Sequence, residues 1–466
     1  MTLPSASGPA VARLLLRVVA AVSLVAWLSL GAQVLPLFGA LGISPIAARL
    51  DGARAAVSLW EAPTWLWLTA SDGALVGGAF VGGAACLAAL FGLWPRLNLG
   101  LSGALYLGYV LAGDALLGFQ WDNLLIEASA LAVFTPQRRP APWIHLAWRV
   151  LLFKLYFLSA VAKAQSPIGD WWDGSAMAHY YETAPLPTPL AWWAHQLPPA
   201  WHRFESWWAL FFEGVLAWGV FGPRFTRRVA LFAFTSFQIV NMATANYGFF
   251  CWFALGISVV LLDEEDVARW GAAARARLGL GPAPLALESR RWPMLLGALY
   301  VGLSILLATH RFTDLAPAPE LAARVARWRL VNNYHLFAQI TTRRIEPSVE
   351  VKDHDGWRVI ELPYKAGDPD RPPPVVHPHQ PRLDFLLWFY GLGFERGTPS
   401  YVVGLLRGLC HHPEAVQPLF ETPLPADAEA LRLRFWEHRF TAPGEPGWWR
   451  RAQVGESPEI PCADLH

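Results

Sequence analysis

Up to His310 the sequence is a succession of apolar stretches of roughly 15–22 residues, long enough to cross a bilayer as helices; beyond it polar and charged positions take over. The stretches fall at about 14–36, 74–94, 98–117, 121–135, 143–163, 206–222, 228–245, 248–262 and 292–309. This predicts a polytopic α-helical membrane protein of about nine spans in residues 1–310, with a long outer loop at 164–205. In 311–466 the period changes. Pro347-Ser348-Val349-Glu350-Val351-Lys352 and Trp357-Arg358-Val359-Ile360-Glu361-Leu362 are extended runs with polar alternation. Asp353-His354-Asp355-Gly356 lies between them as a turn, so a β-hairpin is expected. Helical spacing returns at Leu383–Gly391 and Tyr401–Cys410, and Leu431–Thr441 alternates again. The C-terminal segment should therefore be a β-rich domain outside the membrane.

Arginine placement orients the chain. Arg13 and Arg17 precede the first span as in a signal peptide, but so many spans follow that an uncleaved anchor is expected. With the N-terminus inside, successive inner loops hold Arg96, then Arg138 and Arg139, then Arg224, Arg227 and Arg228. The next inner loop holds Arg269, Arg275, Arg277, Arg290 and Arg291, while outer loops carry only Arg49, Arg54 and Arg203. That is the positive-inside pattern. An odd number of spans then puts 311–466 on the outer face, beside 164–205.

Composition agrees with a membrane frame and removes other classes. Mean hydropathy is +0.30 and only 16% of residues are charged, fewer than in an ordinary soluble domain. Net charge is +1 with no basic stripe, so no nucleic-acid partner is expected; membrane lipid is. Cys86 and Cys251 sit inside apolar stretches, whereas Cys410 and Cys462 lie in the polar segment and could pair in an oxidising compartment. Gly73, Gly77, Gly78, Gly82 and Gly83 form overlapping GxxxG registers in the second span, read as close packing within the bundle. His179, His195 and His202 match no standard ligand spacing, and His377 and His379 read as loop scaffold, so neither a metal nor a cofactor is expected.

Charges inside the spans carry more information, because they are costly there and face a partner or a cavity. Glu127, Lys154 and Glu213 lie on three spans at similar depth, roughly 9–14 Å from the outer boundary at 1.5 Å per residue. They are expected to form one compensated cluster. Nearer the outer face, Asp122 and Lys163 make a second candidate pair, and Lys163 shares a helix face with Tyr156 and Ser159. Two readings stand: ion pairs holding the bundle in register, or an outward-opening polar cavity with Lys163 as a base beside Asp122.

Several segments resemble the lipase maturation factor family of membrane proteins. They are Gln120-Trp121-Asp122-Asn123-Leu124-Leu125-Ile126-Glu127, His179-Tyr180-Tyr181-Glu182-Thr183 continuing to His195, and Asn246-Tyr247-Gly248-Phe249-Phe250. Further on come Asn333-Tyr334 through Phe337 to Arg343, Tyr364-Lys365, and Pro378-His379-Gln380-Pro381-Arg382-Leu383-Asp384. Arg439-Phe440-Thr441 and Trp448-Trp449-Arg450 complete the match; His335 and Phe385 depart from the usual Gly and Trp. The resemblance implies a protein that assists folding and assembly of secreted lipases, in the endoplasmic reticulum membrane of animals or, for a bacterial member, the inner membrane. A second, shorter resemblance joins Tyr156-Phe157-Leu158-Ser159-Ala160-Val161-Ala162-Lys163, with Asp170-Trp171, to vitamin K-dependent gamma-carboxylase. It implies that Lys163 matches a lysine acting as a base.

No GxSxG elbow, HExxH, P-loop or dinucleotide glycine pattern is present, which speaks against a lipase, a zincin or an ATP-driven chaperone. Lysine occurs only at Lys154, Lys163, Lys352 and Lys365, and there is no N-x-S/T sequon, so a bacterial inner membrane is the expected location. The leading expectation is a non-enzymatic folding factor with a secreted, lipase-like client. The alternative is a membrane enzyme using Lys163.

Overall fold

The computed structural model describes residues 8–58, 60–137, 142–277, 292–313, 315 and 317–465. Arg138, Arg139, Arg290 and Arg291, used above to orient the chain, lie outside the described residues. Each of the nine apolar stretches contains helix, but among the described residues four helices are long and apolar enough to cross a membrane by length and composition. These are Pro9–Gly31, Asp72–Leu90, Pro142–Ala164 and Leu295–Phe312. The expected count of nine is not confirmed. Gln120–Val133 has 14 residues, shorter than a bilayer core needs, and Phe250–Leu261 is likewise a shorter apolar helix. Arg224–Thr244 is long enough at 21 residues but carries Arg224, Arg227, Arg228, Gln238 and Asn241.

Local chemistry sets the helix ends. Proline occupies the first turn of Pro9–Gly31, Pro95–Ala112 and Pro199–Gly214, where its missing N–H costs nothing. The Ser71 hydroxyl caps Asp72–Leu90 by accepting from the Ala74 N–H. In the Gly stripe of that helix, a side chain on Gly82 would meet the Trp27 ring at 2.3 Å and one on Gly78 would meet Trp65 at 2.6 Å, whereas Gly77 faces open space. Gly78 and Gly82 therefore serve contacts within this chain. Gly174, at positive φ, and then Pro185 and Pro187 divide the 164–205 loop into the short helices Asp170–Asp173, Ala176–Thr183 and Pro189–His195.

Beyond the bundle lies an antiparallel sheet in the order β2-β1-β3-β4, made of β1 Arg344–Asp353, β2 Gly356–Ile360, β3 Ala430–Phe440 and β4 Trp449–Glu456. The short β5, Ile460–Pro461, also pairs with β3. The hairpin turn falls where Asp353 pairs with Gly356. Between β2 and β3 the chain forms the helices Arg382–Gly391 and Ser400–His411, and the latter is tied to the C-terminal turn by a Cys410–Cys462 disulfide. One buried apolar cluster runs without a break from Leu15 and Trp27 in the bundle to Val349 and Phe435 in the sheet. The sheet is thus packed onto the helices rather than tethered beside them.

Candidate functional site

The helix Gln120–Val133 begins at the sheet end of the bundle, and the Asp122 carboxylate caps it by accepting from the Gly118 and Phe119 N–H groups. The same carboxylate receives the Arg382 guanidinium in a two-pronged pair, Nη2 to Oδ1 and Nη1 to Oδ2, each 2.7 Å, and the Tyr106 hydroxyl at 2.7 Å. Asp122 therefore pairs with Arg382, not with Lys163. Trp121 stacks on Phe119 beside this pair, with ring centroids 4.8 Å apart.

One helical turn deeper, Glu127 accepts five hydrogen bonds. Lys154 Nζ (2.5 Å) and the Tyr300 hydroxyl (2.7 Å) reach Oε1; the Tyr334 hydroxyl (2.6 Å) and the Asn332 N–H and side-chain amide (both 3.1 Å) reach Oε2. Lys154 spends its remaining protons on Ser304 Oγ and the Asn332 carbonyl, at 3.2 and 3.0 Å. Both members of the pair are satisfied.

Glu213 is not part of that cluster. Its carboxylate meets Lys163 at 2.6 Å, and Lys163 also donates to the Leu336 carbonyl at 3.0 Å while lying 5.1 Å from the Trp171 ring centre. Ser159, one turn away, accepts from the Leu336 N–H, and Tyr156 accepts from Gln238 and stacks on Phe234. The expected triad of Glu127, Lys154 and Glu213 is thus two pairs at different places. Counting along helices gives height, not direction around the axis, and that is why the partners were misjudged.

Among the remaining motif residues, Asn246, His379 and Glu182 join the helical part to the C-terminal part. The Asn246 amide donates to the carbonyls of Leu186, Pro187 and Pro374, and its oxygen accepts from the Val376 and His377 N–H groups. His379 Nδ1 lies 2.9 Å from Ser29 Oγ. Buried Arg344 donates to the carbonyls of Glu182, Ala184 and Pro185 and pairs with Glu346 at 2.6 Å. Glu182 accepts from the Phe440 N–H and faces Arg439 and His195, each at 3.6 Å; burial holds its carboxyl above the usual range. Burial also pushes His195 down to about 4, helped by nearby His202, His179 and Arg439. Tyr181 donates to Glu205, and Tyr247 shares a 2.9 Å hydrogen bond with Tyr180. Arg343 pairs with Glu437 on the exposed side of the sheet. Asp384 accepts from the Tyr364 and Lys365 N–H groups, and burial pushes it up to about 7.

His179 is half-buried near His195, but the three loop histidines do not converge on a point. Among the described residues the one group of three ligand-type side chains close enough to share an ion is Asp353, His354 and Asp355, at the hairpin turn. His354 and Asp355 there are exposed, and His354 is already paired with Asp427 at 2.9 Å.

Comparison with known proteins accounts for nearly the whole chain. The sequence model described as the lipase maturation factor transmembrane domain matches residues 10–269, and that of the lipase maturation factor C-terminal domain matches 330–459. Lipase maturation factor 2 of Homo sapiens is 31% identical across 95% of this chain and 81% of its own length. The chain belongs to the lipase maturation factor family. Lipase maturation factor 2 of Gallus gallus is 29% identical, covering 94% of this chain and 79% of its own length. Lipase maturation factor 1 of Bos taurus is 27% identical, covering 95% and 87%. No solved structure matches. In this lipase maturation factor relative, the stretch 329–340 and the Pro378–Asp384 segment are threaded into the mouth of the bundle, where they supply Asn332, Tyr334, the Leu336 carbonyl and Arg382 to buried charges. Sequence reasoning placed Arg382 and Tyr334 in motifs but gave them no partner.

Proposed function

We propose that the protein is a non-enzymatic maturation factor that assists folding and assembly of secreted proteins such as lipases. The observation that carries this is the match to a lipase maturation factor along 95% of the chain. The orientation belongs to the same proposal: inner arginine loops, with 164–205 and 311–466 facing the periplasm or lumen, and a bacterial inner membrane as the location. The Cys410–Cys462 disulfide supports an oxidising outer compartment for that part. Alkaline phosphatase fused after Trp448 is expected to be active; an inactive fusion there would reverse the orientation.

Reading Lys163 as a catalytic base gains no support from its surroundings. Lys163 is 1% exposed, and its ammonium is held by Glu213 and the Leu336 carbonyl. The test is co-expression with a secreted lipase, measuring lipase activity per mass of lipase secreted. This ratio should fall when the protein is absent. Lys163→Arg keeps a cation for Glu213 but removes a base, since guanidinium stays protonated. It should retain most of the effect, and a well-expressed but wholly inactive Lys163→Arg would favour the enzyme.

A further inference from the structure

In the C-terminal part, the helices Arg382–Gly391 and Ser400–His411 and the turn between them border an open cleft of about 480 Å³. That volume is in the range of sites that take a ligand group. Its floor is apolar and buried, made by Leu386, Tyr390 and Tyr401. Phe389 also lines it and is 46% exposed, although its ring touches Phe119, Phe385 and Trp388. The turn 393–398 that completes the cleft is pinned by Phe394, which stacks on Phe435 of β3 with ring centroids 4.2 Å apart.

The cleft has one charged lining residue, Arg396. Among the described residues its guanidinium has no hydrogen bond and no ion pair. Its Cδ lies 3.7 Å from where a side chain on Gly393 would begin, so the arginine folds back along the cleft. The neighbouring Glu395 does not line it and acts on Arg343. Ser400–His411 starts at the rim with no capping side chain and no acid in its first turn, so its positive end adds to Arg396. The Tyr390 and Thr398 hydroxyls are 3.5 Å apart, a weak bond that leaves both available to a ligand. Tyrosine, phenylalanine and arginine around a buried apolar floor are the composition of a protein-binding hot spot. The cleft is open along Phe389, Arg396 and Thr398, all exposed. An acyl chain laid there would stay largely wet, whereas a side chain projecting from a polypeptide would bury its whole apolar end.

We propose that this cleft receives a segment of a client polypeptide, with an aromatic side chain on the floor and an adjacent carboxylate on Arg396. The proposal rests on the maturation reading above and names the client feature that is recognised. The test titrates the full chain, purified in neutral detergent, against fluorescein-labelled decapeptides of Gly and Ser, followed by anisotropy. One carries Phe followed by Asp, a second Phe followed by Lys, and a third Ala followed by Asp. The first is expected to bind about fivefold tighter than either of the others. Arg396→Glu should reverse the order of the first two, and Phe389→Ala should bring the first level with the third. Equal binding of all three by the wild type, or an unchanged order in Arg396→Glu, overturns the site. Should Arg396→Glu not fold, salt decides on the wild type. The advantage of Asp over Lys must shrink as ionic strength rises, and a constant advantage refutes the contact. Co-expression with a secreted lipase is a separate measurement: peptide selection without any effect on the lipase would keep this site and remove the maturation reading.

Discussion

At the sheet end of the bundle, the buried carboxylates of Asp122, Glu127 and Glu213 each hold a cation of their own, whereas at the other end Asp263 is divided among three arginines. For these three carboxylates the charges are matched one to one, and the C-terminal segments complete each site. A buried carboxylate there works as a joint, because it is satisfied only when a distant part of the chain is seated. At the opposite end the cations outnumber their partners, so seating them requires nothing further from the described chain. Removing a charge should therefore be costly at one end and nearly free at the other.

Arg382→Met should give the largest effect. It strands Asp122 in the interior, at a cost of about 3–5 kcal/mol in denaturant unfolding. Adding Asp122→Asn should return part of the loss, and strictly additive damage would break the idea of a joint. Lys154→Met should cost somewhat less, about 2–3 kcal/mol, because Tyr300, Tyr334 and Asn332 still donate to Glu127. Glu127→Gln should again recover part of it.

Asp384 tests the rule from another side, since it is a buried carboxylate at the sheet end whose hydrogen bonds come from backbone N–H groups. Its carboxyl is raised from 3.8 to about 7, chiefly by burial, so the folded state binds the proton more tightly than the unfolded chain. That contribution is present at low pH and is lost as pH climbs from about 4 through 7. Between pH 5 and 8 the wild type should lose roughly 2–3 kcal/mol more than Asp384→Asn. Equal pH slopes for the two proteins would place the carboxyl in a wetter setting. The smallest effect is expected from Arg149→Met. This removes a buried cation of the Pro142–Ala164 helix and strands no carboxylate, since Asp263 keeps Arg224, Arg227 and Arg228, so stability should stay within about 0.5 kcal/mol of wild type or rise. A loss as large as that of Arg382→Met would erase the contrast between the two ends.

Runs of apolar residues were enough to place the helices, and the Asp353–Gly356 turn was enough to place the β1–β2 hairpin. Helix polarity was less legible, because a run of apolar residues within Arg224–Thr244 hides the charges of its first turns from a hydropathy window. The buried charges were found as residues and misassigned as pairs. Asp122 and Arg382 are 260 residues apart, and no periodicity links positions so distant. The carbonyls of Asn332 and Leu336 carry no side-chain signal at all. Arg149 could have been found: the argument that flagged Lys154 inside a span applies equally to an arginine five residues earlier on the same helix.

The threading of 329–340 into the bundle also sets a schedule for synthesis. Lys154 must wait for the Asn332 carbonyl, 178 residues later in the chain, and Asp122 waits 260 residues for Arg382. At ribosomal speeds of about 5–20 residues per second, Lys154 waits roughly 10–35 s with its shell incomplete. The helices are made first but finish last. During that interval Lys154 has Glu127 but not the Asn332 carbonyl, and Asp122 has the Tyr106 hydroxyl but no cation, so the half-made bundle holds its charges loosely until the C-terminal segments arrive.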